Sequence, residues 1–325
     1  MKKILILFGG NSYEHKVSCE SVKTIVSNID TSIYDVTLTA IDLDNSWYLI
    51  NKYSDILSED DWRNCKKELI VNITKFVSSF DKVFPVMHGS PVEDGTIQGL
   101  LNLTNTKLVG VNLESSVICY NKRITKILCD HYQIPIIPYI EISNLKNVKQ
   151  IDIDYPVIVK PARCGSSIGI NLANNIIELN KAIKDVFSYD SQVIVEKFIK
   201  AREFECAIFK NKKVHISTVG EIKANNSFYD YDSKYQSMSK ITYPANIDKI
   251  LLKEIQKISM KLFNILNIQT FARFDFLYDY HNHTLYFNEV NTMPGFTSKS
   301  MFPMLFNYDR ISTKKLITHL IEGSN

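Results

Sequence analysis

Oxygen-bearing side chains cluster in two segments near the end of the chain, RFDF (273–276) and FNEVN (287–291). Glu289 and Asn291 are two residues apart on a predicted strand, so they project from the same face. Asp275 lies on the preceding predicted strand. Carboxylate and amide oxygens are ligands that Mg²⁺ prefers. The sequence therefore predicts a divalent-metal site formed by Asp275, Glu289 and Asn291.

The hairpin between these strands sets a geometric condition on that site. Successive side chains of a strand point to opposite faces, so Asp275 and Glu289 oppose each other only across an odd-numbered loop centred on Asn282. An even loop predicts that the two carboxylates lie on opposite faces. The alternative interpretation is that both are solvated ends of edge strands.

The segment KPARCGSSIG (160–169) is a candidate for phosphate binding. Lys160 leaves a predicted buried strand and enters a loop that contains two serines and two glycines. Small residues let the backbone approach phosphate oxygens closely and offer N–H and hydroxyl donors. The segment is not a Walker A loop, because no Gly-Lys-Ser/Thr opens a helix after it. An ordinary turn is the alternative, and the metal set downstream disfavours it.

Three further polar segments carry candidate binding groups. VEKFI (195–199) ends a strand with backbone groups that suit an adenine edge, and Glu203 follows it as a candidate for ribose hydroxyls. GGNSYEH (9–15) is a glycine turn that presents Glu14, and His88 follows a later strand at the same sheet edge. FYDYDSKY (228–235) has no steady period and predicts a mobile loop rich in hydrogen-bonding side chains. Each segment alone is equally typical of a plain turn or a surface strand.

Alternating strands and helices position these segments. Apolar runs at 4–8, 36–41 and 83–87, with helical periods between them, predict a parallel α/β sheet in roughly the first 115 residues. Residues 95–103 predict a short helix with Glu93 and Asp94 at its positive end. From residue 201 the predicted strands lengthen and short connectors favour antiparallel pairing. We predict α/β and α+β architecture in three lobes, 1–120, 121–200 and 201–325.

Composition excludes several classes of protein. The 325 residues are 45% hydrophobic and 22% charged, which is typical of a globular chain. The net charge of +3 comes without a Lys/Arg cluster, which argues against a nucleic-acid partner. No segment approaches the ~20 apolar residues of a membrane span. Six cysteines without a CxxC pair are typical of reduced thiols. We expect a cytoplasmic protein with neither a nucleic-acid nor a membrane partner.

Taken in order, these segments resemble the D-alanine–D-alanine ligases of the ATP-grasp superfamily. The resemblance extends over almost the whole chain and rests on GGNSYEHKVS, HGSPVEDGTIQG, KPARCGSSIG, VEKFI, FYDYDSKY, RFD and FNEVNTMPGFTSKSMFP. It implies an N-terminal Rossmann-like lobe followed by two lobes that grip ATP. It also implies that two D-alanines are joined through an acyl phosphate for peptidoglycan precursor synthesis. ATP, two Mg²⁺ ions (with Mn²⁺ as an alternative) and a homodimer are part of the same expectation.

The resemblance assigns roles to matching positions. The residues it assigns to ATP are Lys122, Lys160, Glu196, Lys197, Phe198, Ile199, Glu203 and Lys234, and those it assigns to metal are Asp275, Glu289 and Asn291. Glu14 would bind the ammonium of the first substrate near His88, with Ser166 and Tyr235 completing the closure between lobes. Arg273 and the Gly295 N–H would stabilise the tetrahedral intermediate. Ser300, followed by Met301, would meet the carboxylate of the second substrate.

The chain departs from the family pattern without losing a residue assigned to chemistry. Relatives usually carry Glu where Lys16 stands and Gly where Val92 stands, and we expect both positions to line the first-substrate side. Tyr120-Asn121 replaces the common Met-Asp, Cys164 stands where many carry Glu, and Arg202 stands where Pro or a small residue is common.

Other functions remain alternatives at this point. A D-serine or other second substrate is one, although Lys234-Tyr235 and Met301 favour D-alanine. A non-catalytic ATP-binding relative is a second, supported only by Lys16 and Val92. A NAD-dependent dehydrogenase is a third, and the missing G-x-G-x-x-G fingerprint disfavours it.

Overall fold

Three β-sheets with packed helices form the protein in a computed structural model that describes residues 1–144, 153–223 and 240–324. The strands are β1 (Lys2–Gly9), β2 (Tyr34–Ile41), β3 (Trp47–Ile50), β4 (Lys67–Leu69), β5 (Lys82–Pro85), β6 (Lys107–Leu108), β7 (Tyr139–Ile142), β8 (Val157–Pro161), β9 (Asn171–Ala173), β10 (Val193–Lys197), β11 (Arg202–Lys210), β12 (Val214–Lys223), β13 (Lys240–Thr242), β14 (Phe271–Asp279) and β15 (Thr284–Asn291). The helices are α1 (His15–Asn28), α2 (Ile73–Val77), α3 (Thr96–Asn102), α4 (Leu113–Tyr120), α5 (Lys122–His131), α6 (Ile176–Val186), α7 (Lys249–Ile265), α8 (Met301–Tyr308) and α9 (Thr313–Gly323), with short 3₁₀ helices at Tyr53–Leu57 and Trp62–Asn64.

The first sheet has the strand order β4-β3-β2-β1-β5-β6. β1 runs parallel to β2 and β5, and β5 runs parallel to β6, which confirms the predicted parallel sheet for these four strands. The apolar run at residues 4–8 is fully buried because β1 lies at the centre with cover on both faces. The short strands β3 and β4 extend one edge in antiparallel orientation, which the prediction did not include.

The other two sheets are antiparallel throughout. The second has the order β7-β10-β8-β9, and the third has the order β13-β12-β11-β14-β15. In the third sheet alternate residues of β11 and β14, among them Phe204, Phe274 and Phe276, are buried in a core beneath α7. The residues between them, such as Glu205 and Asp275, therefore face the other side. This confirms the predicted antiparallel pairing after residue 201.

A β-bulge decides which face Glu289 occupies. Asp279 pairs with Thr284, so the loop between β14 and β15 has four residues, 280–283. The odd loop centred on Asn282, which was the condition for the two carboxylates to oppose each other, is therefore not formed. Asn288 is an extra residue in β15, so the register shifts by one and Asp275 pairs with Glu289 after all. The opposition of the two carboxylates is confirmed, but by a bulge and not by loop length.

The C-terminal helices return to the first sheet. Phe302 and Leu305 of α8 and Ile317 and Ile321 of α9 are fully buried in the same core as β1. Helix α8 also packs on the third sheet, where the rings of Phe306 and Phe209 lie 4.8 Å apart. The end of the chain therefore links the first and third sheets. None of the helices in the described residues is long and apolar enough to cross a membrane.

A buried lysine of the first sheet fixes the end of α9. The Lys82 ammonium donates to the Ile321 carbonyl at 2.5 Å and to Ser324 Oγ at 2.9 Å. Helix C-termini carry carbonyls without intrahelical partners and a partial negative charge, so an ammonium there is stabilising. We expect Lys82→Met to lower the free energy of unfolding by about 1–3 kcal/mol, measured by urea denaturation, because these carbonyls lose their donor.

Lys107 provides a matched control, because it pairs directly with Lys82 across the sheet and is exposed. Lys107→Met should change the unfolding free energy by less than about 0.5 kcal/mol. Equal effects of the two substitutions would contradict the capping role.

Candidate functional site

A cavity of 580 Å³ opens between the second and third sheets. It collects residues from β8, β10, β11 and β15 and from the start of α5. Its lining includes all the predicted ATP-binding residues that the structure describes: Lys122, Lys160, Glu196, Lys197, Phe198, Ile199 and Glu203. Lys234 and Tyr235 lie outside the described residues. Lys122 and Lys160 face one cavity, which is what a shared phosphate site requires.

Glu196 is held between two buried lysines at the back of this cavity. Its Oε1 lies 2.7 Å from Lys126 Nζ, and its Oε2 lies 2.7 Å from Lys160 Nζ. All three side chains are at most 6% exposed. Burial alone would raise the pKa of Glu196, but Lys160 and Lys126 lower it to about 2. Glu196 is therefore a carboxylate whose charge is balanced from two elements, α5 and β8.

The predicted metal ligands share one face of the third sheet. Asp275 and Glu289 are direct partners across β14 and β15, and the Asn291 amide nitrogen donates to Asp275 Oδ2 at 2.9 Å. Each carboxylate already has a cation beside it. Lys122 Nζ lies 3.2 Å from Glu289, and Arg273 forms a fork with Asp275 through Nε at 2.8 Å and Nη2 at 2.7 Å. The structure thus brings the predicted metal set together.

Glu14 meets the glycine- and serine-rich loop of the second lobe. Ser166 Oγ donates to Glu14 Oε1. A Cβ added at Gly165 would lie 3.0 Å from Glu14 Oε2, so the glycine permits this close approach. Ser166 and Ser167 have φ angles of 51° and 59°, a left-handed conformation that non-glycine residues adopt rarely. The loop is therefore bent toward the turn that follows β1, as the predicted closure between lobes requires.

His88, Gly295 and Ser300 lie next to one another. A Cβ added at Gly295 would be 2.7 Å from Ser300 Oγ and 3.8 Å from His88 Cε1. His88 Nδ1 lies 2.8 Å from the Met293 carbonyl oxygen, which joins the first sheet to the loop after β15. Met301 is 3% exposed and its sulfur packs on Gly220 of β12. His88 and Ser300 thus group around Gly295, whereas the predicted substrate residue Arg273 lies beside Asp275.

The Glu93 carboxylate contacts the loops that carry Gly89 and Met293, and not the start of α3. Its carboxylate accepts from the Gly89 N–H at 2.9 Å and from the Met293 N–H at 3.3 Å. The expected position at the positive end of the helix is wrong for Glu93, whereas Asp94 does accept from the Thr96 N–H at 2.9 Å. Burial, with Glu14 nearby, raises the pKa of Glu93 to about 8. This group's contribution to stability is therefore largest below pH 4.5 and is lost as the pH rises through 8.

Val92 does not line the first-substrate side as expected, because its side chain is fully buried in the hydrophobic core that contains β1. Lys16 is exposed on α1. Neither departure removes a contact described above, which weakens the case for a non-catalytic relative.

Sequence reasoning missed three residues of this site: Lys126, Glu205 and Glu93. Lys126 lies one helical turn after Lys122, and Glu205 lies two residues after Glu203 on β11, so same-face spacing could have found both. Glu205 Oε2 lies 3.0 Å from Arg273 Nε. Glu93 has no comparable local signal, since its partner Met293 is 200 residues away.

The cleft lies between two antiparallel sheets and has lysines on one wall and paired acids on the other. This arrangement defines the ATP-grasp class of carboxylate–amine ligases. Comparison with protein families gives the particular family. The description "D-ala D-ala ligase N-terminus" matches residues 3–111, and "D-ala D-ala ligase C-terminus" matches residues 128–322. The chain belongs to the D-alanine–D-alanine ligase family.

Curated relatives and solved structures agree with this assignment. The chain is 38% identical to D-alanine–D-alanine ligase B of Clostridium tetani, covering 98% of this chain and 92% of the relative. It is 37% identical to D-alanine–D-alanine ligase of Clostridium acetobutylicum, covering 99% and 97%. The VanG D-Ala:D-Ser ligase of Enterococcus faecalis matches with a TM-score of 0.88 at 33% identity, covering 98% of both chains. The D-alanine-D-alanine ligase of Coxiella burnetii matches with a TM-score of 0.86 at 30% identity, covering 100% and 95%.

The charge balance around Glu196 predicts a pH-dependent contribution to stability. Glu196→Gln should lower the unfolding free energy by about 3–5 kcal/mol at neutral pH, because two buried ammonium groups lose their carboxylate. The folded-state pKa lies below the ordinary value of 4.5, so this stabilisation is present above pH 4.5 and is lost as the pH falls toward 2. Urea denaturation of both proteins across this range measures the difference.

Glu141 is a suitable control, since it pairs with Ile194 in the same sheet and its side chain is 36% exposed beside Arg123. Glu141→Gln should lower the unfolding free energy by no more than about 1 kcal/mol. A difference between wild type and Glu196→Gln that stays constant between pH 4.5 and 2 would be evidence against the charged carboxylate.

Proposed function

We propose that this protein joins two D-alanine molecules at the expense of ATP through an acyl phosphate. The observation that carries the proposal is the cleft, where Lys122 and Lys160 face the same space as Glu289, the cross-strand partner of Asp275. A carboxylate is a poor electrophile, and phosphoryl transfer to it requires positive charge around the moving phosphoryl group. Family membership supplies the identity of the two substrates.

The nucleotide would occupy the cavity between the second and third sheets. Lys122 and Lys160 would contact the phosphates, the backbone of residues 197–199 would meet the adenine edge, and Glu203 would bind ribose hydroxyls. Glu196 would also meet the adenine, and its two lysine partners keep its carboxylate charged for that contact. Lys234 completes this proposed set.

The residues that would hold two Mg²⁺ or Mn²⁺ ions are Asp275, Glu289 and Asn291. The donor set fits a hard divalent cation, because it offers two carboxylates and one amide from one sheet face. Both carboxylates already face a positive group, Arg273 or Lys122, so a bound metal ion would share them with these side chains. When bound, the metal would neutralise charge on the phosphate oxygens.

The two amino-acid positions are proposed from the contacts around Glu14 and Gly295. Glu14 would bind the ammonium of the first D-alanine, and Ser166 with Tyr235 would close the lobes over it. His88 lies close to the same position. Arg273 and the Gly295 N–H would stabilise the oxyanion as the second amine attacks, and Ser300 would receive the carboxylate of the second substrate.

A D-alanine–D-serine ligase is the second candidate, favoured by the similarity to the VanG D-Ala:D-Ser ligase. A D-serine hydroxyl needs a hydrogen-bond partner, whereas the buried Met301 beside Ser300 is apolar. We therefore place D-alanine first. A cytoplasmic homodimer that supplies the dipeptide for peptidoglycan precursors is part of the proposal.

Phosphate release and product mass test the proposed function directly. The purified protein should release phosphate only when ATP, Mg²⁺ and D-alanine are all present, and the product should have the mass of D-alanyl-D-alanine. The same assay with D-serine, D-lactate and L-alanine as second substrates separates the candidates. Stimulation by another amino acid but not by D-alanine would overturn the substrate assignment.

Arg273→Ala should reduce ligation by about 10²–10³-fold, because the oxyanion loses a charged donor. ATP binding, measured by calorimetry, should change little, since the proposed adenine and phosphate contacts lie elsewhere. Arg273→Lys keeps the charge but loses the fork geometry, and it should recover only part of the activity. Full activity in Arg273→Ala, with a normal melting temperature, would remove Arg273 from the mechanism.

A further inference from the structure

Two carboxylates hold the Arg273 guanidinium, and one of them has no role in the proposed reaction. Arg273 Nε and Nη2 donate to both oxygens of Asp275, at 2.8 and 2.7 Å. Glu205 reaches the same Nε from the neighbouring strand, with Oε2 at 3.0 Å. Glu205 and Asp275 are direct partners in the pairing of β11 with β14, so the sheet register places both carboxylates around one arginine. The side chains of Glu205 and Asp275 are each 3% exposed.

The contacts of Asp275 conflict with its proposed use as a metal ligand. Both of its oxygens accept from Arg273, and Oδ2 also accepts from Asn291 at 2.9 Å. A divalent cation needs carboxylate lone pairs directed toward it, and a fork of two N–H donors competes for them. Three of the roughly four lone-pair sites on Asp275 are therefore already in use, and a bound metal ion competes with the Arg273 fork for them. A buried guanidinium that loses its partner bears a large desolvation cost.

We propose that Glu205 is a positioning residue that holds Arg273 in place when Asp275 turns to a divalent ion. The inference rests on the proposed function, because it assumes that Asp275 binds metal. Glu205 already contacts Nε, so the guanidinium keeps a charged partner without moving away from the sheet. Glu205 thereby keeps the arginine where the oxyanion forms while the metal occupies the other carboxylate.

The alternative is that Glu205 is itself a metal ligand. Ligand atoms of Glu203, Glu205 and Asp275 lie within 4.8 Å of one another. The Arg273 guanidinium, however, contacts two of these three carboxylates. The proposed ligands Glu289 and Asn291 lie on β15, which β14 separates from β11, so we infer that Arg273 and not a metal ion is the partner of Glu205.

The Nε–H signal of Arg273 in a ¹⁵N–¹H spectrum tests the proposal, with its assignment made from its absence in Arg273→Lys. In wild type, this proton should exchange slowly with solvent both without ligand and with Mg²⁺–ADP. In Glu205→Ala, exchange should stay slow without ligand, because the Asp275 fork remains. Mg²⁺–ADP should then accelerate exchange by about tenfold or more, because the fork opens and no second partner is present.

Two further variants control this measurement. Glu205→Gln keeps an acceptor oxygen and should show a smaller acceleration, which also guards against poor folding of Glu205→Ala. Asp279→Asn changes another buried carboxylate on β14, one that accepts hydrogen bonds from the hairpin turn, and it should behave like wild type. In ligation, Glu205→Ala should lower kcat about ten- to hundredfold with little change in the KM for ATP.

Several outcomes would overturn the proposal. Acceleration by Mg²⁺–ADP in wild type means that Glu205 does not hold the guanidinium, and no acceleration in Glu205→Ala means that it is not needed. Fast exchange in Glu205→Ala without ligand makes Glu205 a permanent structural partner. If Mg²⁺–ADP alters no signal in wild type or in any variant, the protein does not bind nucleotide as proposed. The proposed function and this inference are then both wrong. If the exchange pattern is as expected but D-alanine gives no phosphate release, only the proposed substrate is wrong.

Discussion

The register between β14 and β15 determines which side chains can face the cleft. With Asp279 opposite Thr284, an unbroken hairpin would direct Asp275 and Glu289 to opposite faces. Glu289 would then enter the core that contains Phe274 and Phe276, where a carboxylate has no compensating partner. The extra residue Asn288 shifts the pairing by one residue, so that Asp275 and Glu289 lie opposite each other at the end of the hairpin far from the loop. The acidic face of the cleft therefore depends on one bulge.

Charges in the cleft are balanced in advance on both walls. Glu196 lies between Lys126 and Lys160, Asp275 lies against Arg273, and Glu289 lies near Lys122. A nucleotide with its metal would bring both negative and positive charge, so binding can exchange one partner for another. Exchange is less costly than creating or burying new charge, because desolvation has already been compensated within the fold. Burial lowers the pKa of Lys160, and the neighbouring Glu196 carboxylate opposes that shift.

Local patterns in the sequence were sufficient for most elements and for the composition of the site. Strand β1 lies where the apolar run at 4–8 predicts it, and the paired acids lie together as predicted. The number of residues in the loop did not decide whether Asp275 and Glu289 oppose each other. A bulge shifts the register by one residue, and the hydrophobic alternation in β15 does not reveal it. Lys126 and Glu205 follow the expected spacing but carry no motif of their own. The contact of Glu93 with Met293 could not be predicted, since it depends on how the C-terminal helices return to the first sheet.

The return of α8 and α9 to the first sheet links the two parts of the proposed reaction site. The Met293 backbone makes two hydrogen bonds, one between its carbonyl oxygen and the His88 ring and one from its N–H to the Glu93 carboxylate. Gly295 follows two residues later, and α8 and α9 are buried in the same core as β1. The N–H proposed to stabilise the oxyanion is thus positioned from the sheet that carries Glu14. Lys160 belongs to the second sheet, and the hydrogen bond between Ser166 and Glu14 joins the loop after β8 to the proposed first-substrate position. In the proposed reaction, activation of the carboxylate and attack on it therefore depend on different sheets, and the Ser166–Glu14 hydrogen bond is one contact that joins them.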